Sequence, residues 1–217
     1  MTTAYAPPIG IFGGTFDPIH FGHLRTGLEL KEALGLAELR FVPVGNPGHR
    51  DPPRAPAALR LEMVRRAIEG EAGFVLDDRE IRRRGITYTL DTLAELHGEY
   101  PATPLVLLLG MDAFAGFLGW HRWGDVLDCA HLAVATRPGW SAPLAGPLAT
   151  LLAERGTSDP RVLHTSASGR IHVRAVTSLE ISSTELRDLL KAGGDPRFLV
   201  PEPVRTIIRE SGCYADP

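Results

Sequence analysis

A chain of 217 residues can bury one substantial core and does not require a second domain. Its 23 Lys and Arg against 26 Asp and Glu leave a formal net charge of -3, which argues against a general nucleic-acid binder, since that role rests on a basic surplus. Cys129 and Cys213 are far apart and form no C-x-x-C pair, fitting neither a zinc knuckle nor a disulfide-stapled secreted domain. The opening MTTAYAPPIG lacks a basic segment and is broken by Pro7-Pro8, so it does not read as a signal peptide. No apolar run approaches the ~18 residues needed to cross a bilayer. The expectation is a cytoplasmic protein with neither membrane nor nucleic acid as partner.

In chain order, Ile9–Phe12 reads as a short buried strand closed by glycines. Gly22–Leu34 places Leu24, Leu28, Leu30 and Leu34 near helical spacing, with Gly35 as a stop signal. Leu39–Val44 (strand), Ala57–Ile68 (helix), Phe74–Asp77 (strand) and Leu90–His97 (helix) follow. The stretch PLVLLLG at 104–110 is apolar without interruption, as a strand covered on both faces must be. HLAVAT at 131–136 and IHVRAV at 171–176 add two strands, and Ser183–Ala192 and Val204–Ser211 close the chain as helices. Stretches 45–56, 137–147 and 156–169 are rich in Gly, Pro or Ser and read as loops. Alternation of this kind predicts a single α/β domain over 1–217: a doubly wound, Rossmann-like parallel sheet with helices on both faces. Its ligands would sit beyond the C-terminal ends of the strands. Whether the last helix packs internally or on a second copy of the chain is left open.

The sequence GGTFDPIHFGH at 13–23 falls at that edge. Gly13-Gly14 let the backbone turn and let a ligand reach its amides, Thr15 offers a hydroxyl, and Asp17-Pro18 sets a turn into the helix. His20 and His23, three apart, share one side of the helix start, where unpaired amides favour an anion. These parts make a phosphate pocket, but Gly-Gly after a strand also serves as a plain turn. No lysine follows as in a P-loop, and G-x-G-x-x-G is missing. SLEISSTELR at 178–187 places Ser182, Ser183 and Thr184 at a helix N-terminus, with Arg187 one turn on. That is either an ordinary N-cap or a second hold on a phosphate chain.

Together these segments resemble the H-x-G-H and I-S-S-T-x-x-R signatures of the nucleotidyltransferase superfamily. The fuller first segment is similar to that of bacterial nicotinate-nucleotide adenylyltransferases. GMDAFAGFLGWHRWGDVL at 110–127 resembles the same family's G-x-D-x-x-x-x-F-x-x-W stretch, and GITYTLDTL at 85–93 its (S/T)-Y-T-x-x-T-L segment. PVGNPGHR at 43–50 resembles its P-x-x-x-P-P-H-(K/R) loop, with Gly48 where a second proline is usual, a departure expected to loosen the loop. LVPEPVRTII at 199–208 is similar to its closing helix. Arg82–Arg84, before the Tyr88 segment, read as a solvated face.

The resemblance implies adenylyl transfer from ATP to nicotinate mononucleotide, giving deamido-NAD and pyrophosphate. The alternatives are another nucleotidyltransferase, acting on nicotinamide mononucleotide or phosphopantetheine, or a silent nucleotide sensor. It implies His20, His23 and Arg187 as catalytic residues. ATP would lie against Gly13, Gly14, Phe16, His20, His23, Ile181, Ser183, Thr184 and Arg187. The mononucleotide would lie against Thr15, His49, Tyr88, Thr89, Asp112 and Trp120, with the indole on the pyridine ring. Mg²⁺ would be bound mainly through substrate phosphates; Asp17 and Asp112 are candidate contacts, each equally a turn or ribose contact, and no dedicated protein ligand is assigned. The residues do not choose between the nicotinate and nicotinamide substrates.

Overall fold

The computed structural model describes residues 5–48, 52–136, 145–177 and 179–215. In chain order its elements are β1 (Ile9–Gly14), α1 (Phe21–Leu34), β2 (Glu38–Pro43), α2 (Ala57–Ile68), β3 (Phe74–Leu76), α3 (Arg79–Arg82), α4 (Thr89–Glu99) and β4 (Leu105–Gly110). These are followed by α5 (Met111–Ala115), α6 (Trp123–Cys129), β5 (His131–Thr136), α7 (Pro147–Arg155), β6 (Ile171–Ala175), α8 (Ser183–Lys191) and α9 (Glu202–Ser211). The six strands form one sheet in the order β3-β2-β1-β4-β5-β6, and every neighbouring pair is parallel. This is the expected doubly wound arrangement.

Strand pleating explains why helices cover both faces. Alternate residues of β4 point to opposite sides. Val106 and Leu108 join Phe12, Phe41, Leu30, Met63 and Val204 in one core, while Leu105, Leu107 and Leu109 join Ile11, Leu93, Phe114 and Val134 in the other. Val204 and Ile208 of α9 lie in the first core, so one face of the closing helix packs internally. No helix among the described residues is long and apolar enough to cross a membrane.

The sequence pattern marks no element at α3, α5, α6 or α7. Three of these run seven residues or fewer, too short for two helical repeats to show. α7 is opened by Pro147 at its first turn and buries Leu148 and Leu151, a two-residue apolar signal hidden between loops. The stretch 156–169, read as loop, contains a 3-10 turn at Pro160–His164 that buries Leu163. Most of 137–147 lies outside the described residues.

Candidate active site

The sheet reverses its winding between β1 and β4, and a crevice opens beyond the ends of strands at such a point. Here a cleft of about 320 Å³ is walled by Gly13 and Gly14 from β1, His20 and His23 from α1, and Asp112 from α5. Ile181 and Ser183 from the start of α8 close it. Two signature segments some 160 residues apart in sequence therefore share one cavity. Gly22 shows how closely they meet. A Cβ there would stand 2.9 Å from His20 Nδ1, so the imidazole would have to shift, and 3.4 Å from the carbonyl oxygen of Ile181, in ordinary contact. Nothing lies within 4 Å of a Cβ at Gly13, which leaves that backbone open to a ligand.

His20 is the extended N-cap of α1 and His23 lies in its first turn. Their rings stack at 3.8 Å between centroids and 29° between planes. The far side of His23 meets Phe16 edge-on at 5.1 Å. Burial, and then the neighbouring His20, hold the His23 pKa well below its usual value, so the ring is neutral at neutral pH. Its Nδ1 has no hydrogen-bond partner among the described residues. A neutral imidazole still carries one N–H, with which it can donate to a phosphate. Phe16 itself has its ring in the core, so its contact with a nucleotide would have to be through backbone.

The α8 segment reaches back to the β1–α1 loop. Ser182 caps α8, its Oγ accepting from the Glu185 amide at 3.1 Å. Ser183 Oγ donates to the Pro18 carbonyl at 3.0 Å, and Arg187 Nη1 donates to the Asp17 carbonyl at 2.8 Å. Arg187 Nη2 donates to Thr184 Oγ1 at 3.0 Å, which fixes the guanidinium plane. Thr184 and Arg187 sit at the margin of the cleft rather than on its wall.

Beneath the loop lies a network that sequence reasoning missed. Asp17 is 3% exposed. Its Oδ2 accepts from the Arg54 amide at 2.8 Å, and its Oδ1 accepts from the Ala55 amide at 3.1 Å and the Tyr214 hydroxyl at 2.6 Å. Both oxygens are thus engaged by protein donors, as the turn reading of Asp17 requires. Asp112 is the carboxylate on the cleft wall. Arg60, 1% exposed, donates to three main-chain carbonyls in the same layer. One signal was present in the sequence: Arg60 stands three and four residues before Met63 and Val64, on the apolar stripe of α2.

The residues expected around a mononucleotide are divided: Asp112 walls the histidine cleft, while Tyr88 meets His121, the chain neighbour of Trp120. Thr89 opens α4, whose N-cap Tyr88 supplies no side-chain cap. The Tyr88 ring stacks on His121 at 4.3 Å. Trp120 is half-buried, edge-on to Phe117 at 5.5 Å. Thr15 is half-buried, and neither it nor Tyr88, Thr89 or Trp120 walls the cleft that holds the histidines. His49 and Arg50 lie outside the described residues. Gly48 has a structural reason, because a Cβ there would stand 2.7 Å from the side chain of Ile86. The loop after β2 lies against 85–88 here, and the Thr87 amide donates to the Asn46 carbonyl at 3.0 Å.

Arg83 departs from the solvated face expected of Arg82–Arg84. It is half-buried and donates to Thr92 Oγ1 at 3.1 Å and to Glu95 at 2.8 Å, because α3 lays it against α4. Next to it, Glu80 is buried and accepts from Thr92 Oγ1 at 2.7 Å. Burial pushes its pKa up to about 7, against the pull of Thr92 and Arg83. A carboxyl whose pKa is raised on folding binds its proton more tightly when folded, so stability falls as pH rises from about 4.5 to about 7. Glu80→Gln should flatten this slope, removing a loss on the order of 3 kcal/mol across that window. Urea unfolding of both proteins at pH 5 and pH 8 reads it; parallel pH slopes would refute the assignment.

Comparison with known proteins adds to this geometry. A family model described as cytidylyltransferase-like matches residues 11–189. An Aeromonas hydrophila protein named "Probable nicotinate-nucleotide adenylyltransferase" is 48% identical over 208 residues, covering 96% of this chain and 97% of that one. The chain belongs to the nicotinate-nucleotide adenylyltransferase family. A relative of the same name from Cellvibrio japonicus is 46% identical over 209 residues, covering 96% of this chain and 99% of its own. Among solved structures, the Plasmodium falciparum nicotinic acid mononucleotide adenylyltransferase complexed with NaAD matches with a TM-score of 0.76 at 17% identity, covering 96% of this chain and 98% of that one. The same enzyme complexed with APC gives 0.72. At that identity the likeness speaks for the fold.

Proposed function

We propose that this chain transfers the adenylyl group of ATP to nicotinate mononucleotide through the cleft between β1 and β4, with the residues named above in definite roles. The observation that carries the reading is the stacked His20–His23 pair facing the hydroxyl-bearing start of α8 across one cavity. A phosphate oxygen of the mononucleotide attacks the α-phosphorus of ATP. The bond from that phosphorus to the bridging oxygen breaks, and pyrophosphate leaves with the electron pair. The attacking group is already an anion, so the chain needs no nucleophile of its own. Its task is to align two polyanions and stabilise charge on the transferring group.

In this reading His20 and His23 donate to ATP phosphates, while Ser183, Thr184 and Arg187 hold the leaving pyrophosphate. The bonds from Arg187 to Asp17 and Thr184 keep its fork set before substrate arrives. Thr15 takes the mononucleotide phosphate, the start of α4 at Tyr88 and Thr89 takes the nicotinate carboxylate, and Trp120 supplies the face for the pyridine ring. Mg²⁺ fits this donor set through phosphate oxygens and water, with Asp112 as the carboxylate beside them, and when bound it offsets phosphate charge.

The direct test is pyrophosphate release from ATP with nicotinate mononucleotide, nicotinamide mononucleotide and phosphopantetheine as acceptors. The reading expects the nicotinate substrate to give the highest kcat/KM; preference for phosphopantetheine, or no turnover with any acceptor, overturns it. Trp120→Ala should raise KM for the mononucleotide about 5- to 100-fold, as losing an aromatic stacking face costs about 1–3 kcal/mol, with KM for ATP little changed. Equal shifts in both KM values would make Trp120 a packing residue.

A further inference from the structure

Arg60 is a buried cation that makes no ion pair among the described residues. Burial pulls its pKa down while the nearby Asp17 carboxylate supports its charge, and a guanidinium stays protonated throughout. Its hydrogen bonds reach two different loops. Nη1 donates to the Thr15 carbonyl at 2.8 Å, Nη2 to the Val44 carbonyl at 2.8 Å, and Nε to the Ala55 carbonyl at 3.2 Å. Thr15 belongs to the loop between β1 and the histidines. Val44 begins the loop after β2 that packs on 85–88, and its amide donates to the Gly14 carbonyl at 2.9 Å. The two loops are thus tied to each other and to one planar fork. We propose that Arg60 is a positioning residue that couples the ATP subsite to the mononucleotide subsite, setting the approach of the attacking phosphate to the α-phosphorus.

The inference rests on the reaction proposed above. A planar guanidinium holds two carbonyls in fixed relation, whereas an ammonium is a single point that can serve one loop well. Lysine at this position therefore keeps the charge and most of the volume but releases one loop. A residue that merely filled the core would show its loss in unfolding temperature alone.

The experiment uses the full chain as wild type, Arg60→Lys and Arg60→Met. Calorimetry measures the affinity for nicotinate mononucleotide with and without a saturating non-hydrolysable ATP analogue, and steady-state kinetics measure kcat and both KM values. In the wild type each ligand should tighten the other by about fivefold or more. In Arg60→Lys, folded by circular dichroism, that factor should fall below about twofold, with kcat down at least about tenfold and each KM changed by less. Arg60→Met should lose the coupling likewise; if it does not fold, the lysine variant and the wild type decide. A lysine variant that keeps both coupling and kcat overturns the proposal, as does an active wild type whose ligands bind independently. A wild type that makes no dinucleotide overturns the functional reading and this inference with it.

Discussion

His23→Ala is expected to lower kcat by about 10²–10³-fold with the fold retained, because that is the loss when one donor aimed at developing charge is removed from a preorganised site. The ring sits in the first turn of α1, stacked on His20 and walled by Phe16. It therefore has little freedom to relax when a phosphate arrives. Its depressed pKa makes it a neutral donor in the free protein, and an arriving triphosphate would raise that pKa. ATP-analogue binding should accordingly take up protons, measured by calorimetry in buffers of different ionisation enthalpy, and the uptake should shrink in His23→Ala. Stability offers a second readout. A histidine whose pKa is lowered on folding contributes stability that is full above pH ~6.5 and lost as pH falls toward the folded value. The wild type should thus be more acid-sensitive than His23→Ala below that pH. Turnover within about threefold of wild type would remove His23 from the charge-stabilising role.

How far the sequence exposed this arrangement depends on what each residue does. The β4 run Leu105–Leu109 has to be covered on both faces, and that alone forecasts helices on either side of a parallel sheet. Spacing alone left the histidine and serine-threonine segments open between a turn or cap and a phosphate hold; their resemblance to the family signatures marked them, and the fold then brings them to one cleft. Arg60 and Tyr214 were not so marked. The apolar stripe of α2 hints that Arg60 is buried but not what it binds: the bonds of both residues go to backbone carbonyls or to a carboxylate 197 positions away, partners that leave no local pattern. Gly48 has the same limit: the side chain that occupies the space over it, Ile86, comes from a different segment. Local chemistry could be read directly, whereas long-range anchoring required the topology.

Asp17→Ala should cost about 3–5 kcal/mol of stability, the usual scale for removing one partner of a buried charged network. The Arg54 and Ala55 amides and the Tyr214 hydroxyl would be left facing a site from which water is excluded. Burial and the adjacent Asp17 both push the Tyr214 pKa up, so the phenol remains a donor at any working pH. At about 2–4 °C per kcal/mol for a chain of this size, the unfolding midpoint should drop by about 6–20 °C. Tyr214→Phe removes one charge-assisted bond and should cost less, about 1.5–3 kcal/mol. The two effects should be non-additive, since the phenylalanine variant has already lost the bond that Asp17→Ala breaks. Because both Asp17 oxygens face protein donors, Asp17→Asn should leave the Mg²⁺ concentration needed for half-maximal activity unchanged even as kcat falls. A rise in that requirement at constant stability would mean the carboxylate turns toward the phosphates during turnover, and the anchoring role would have to be abandoned.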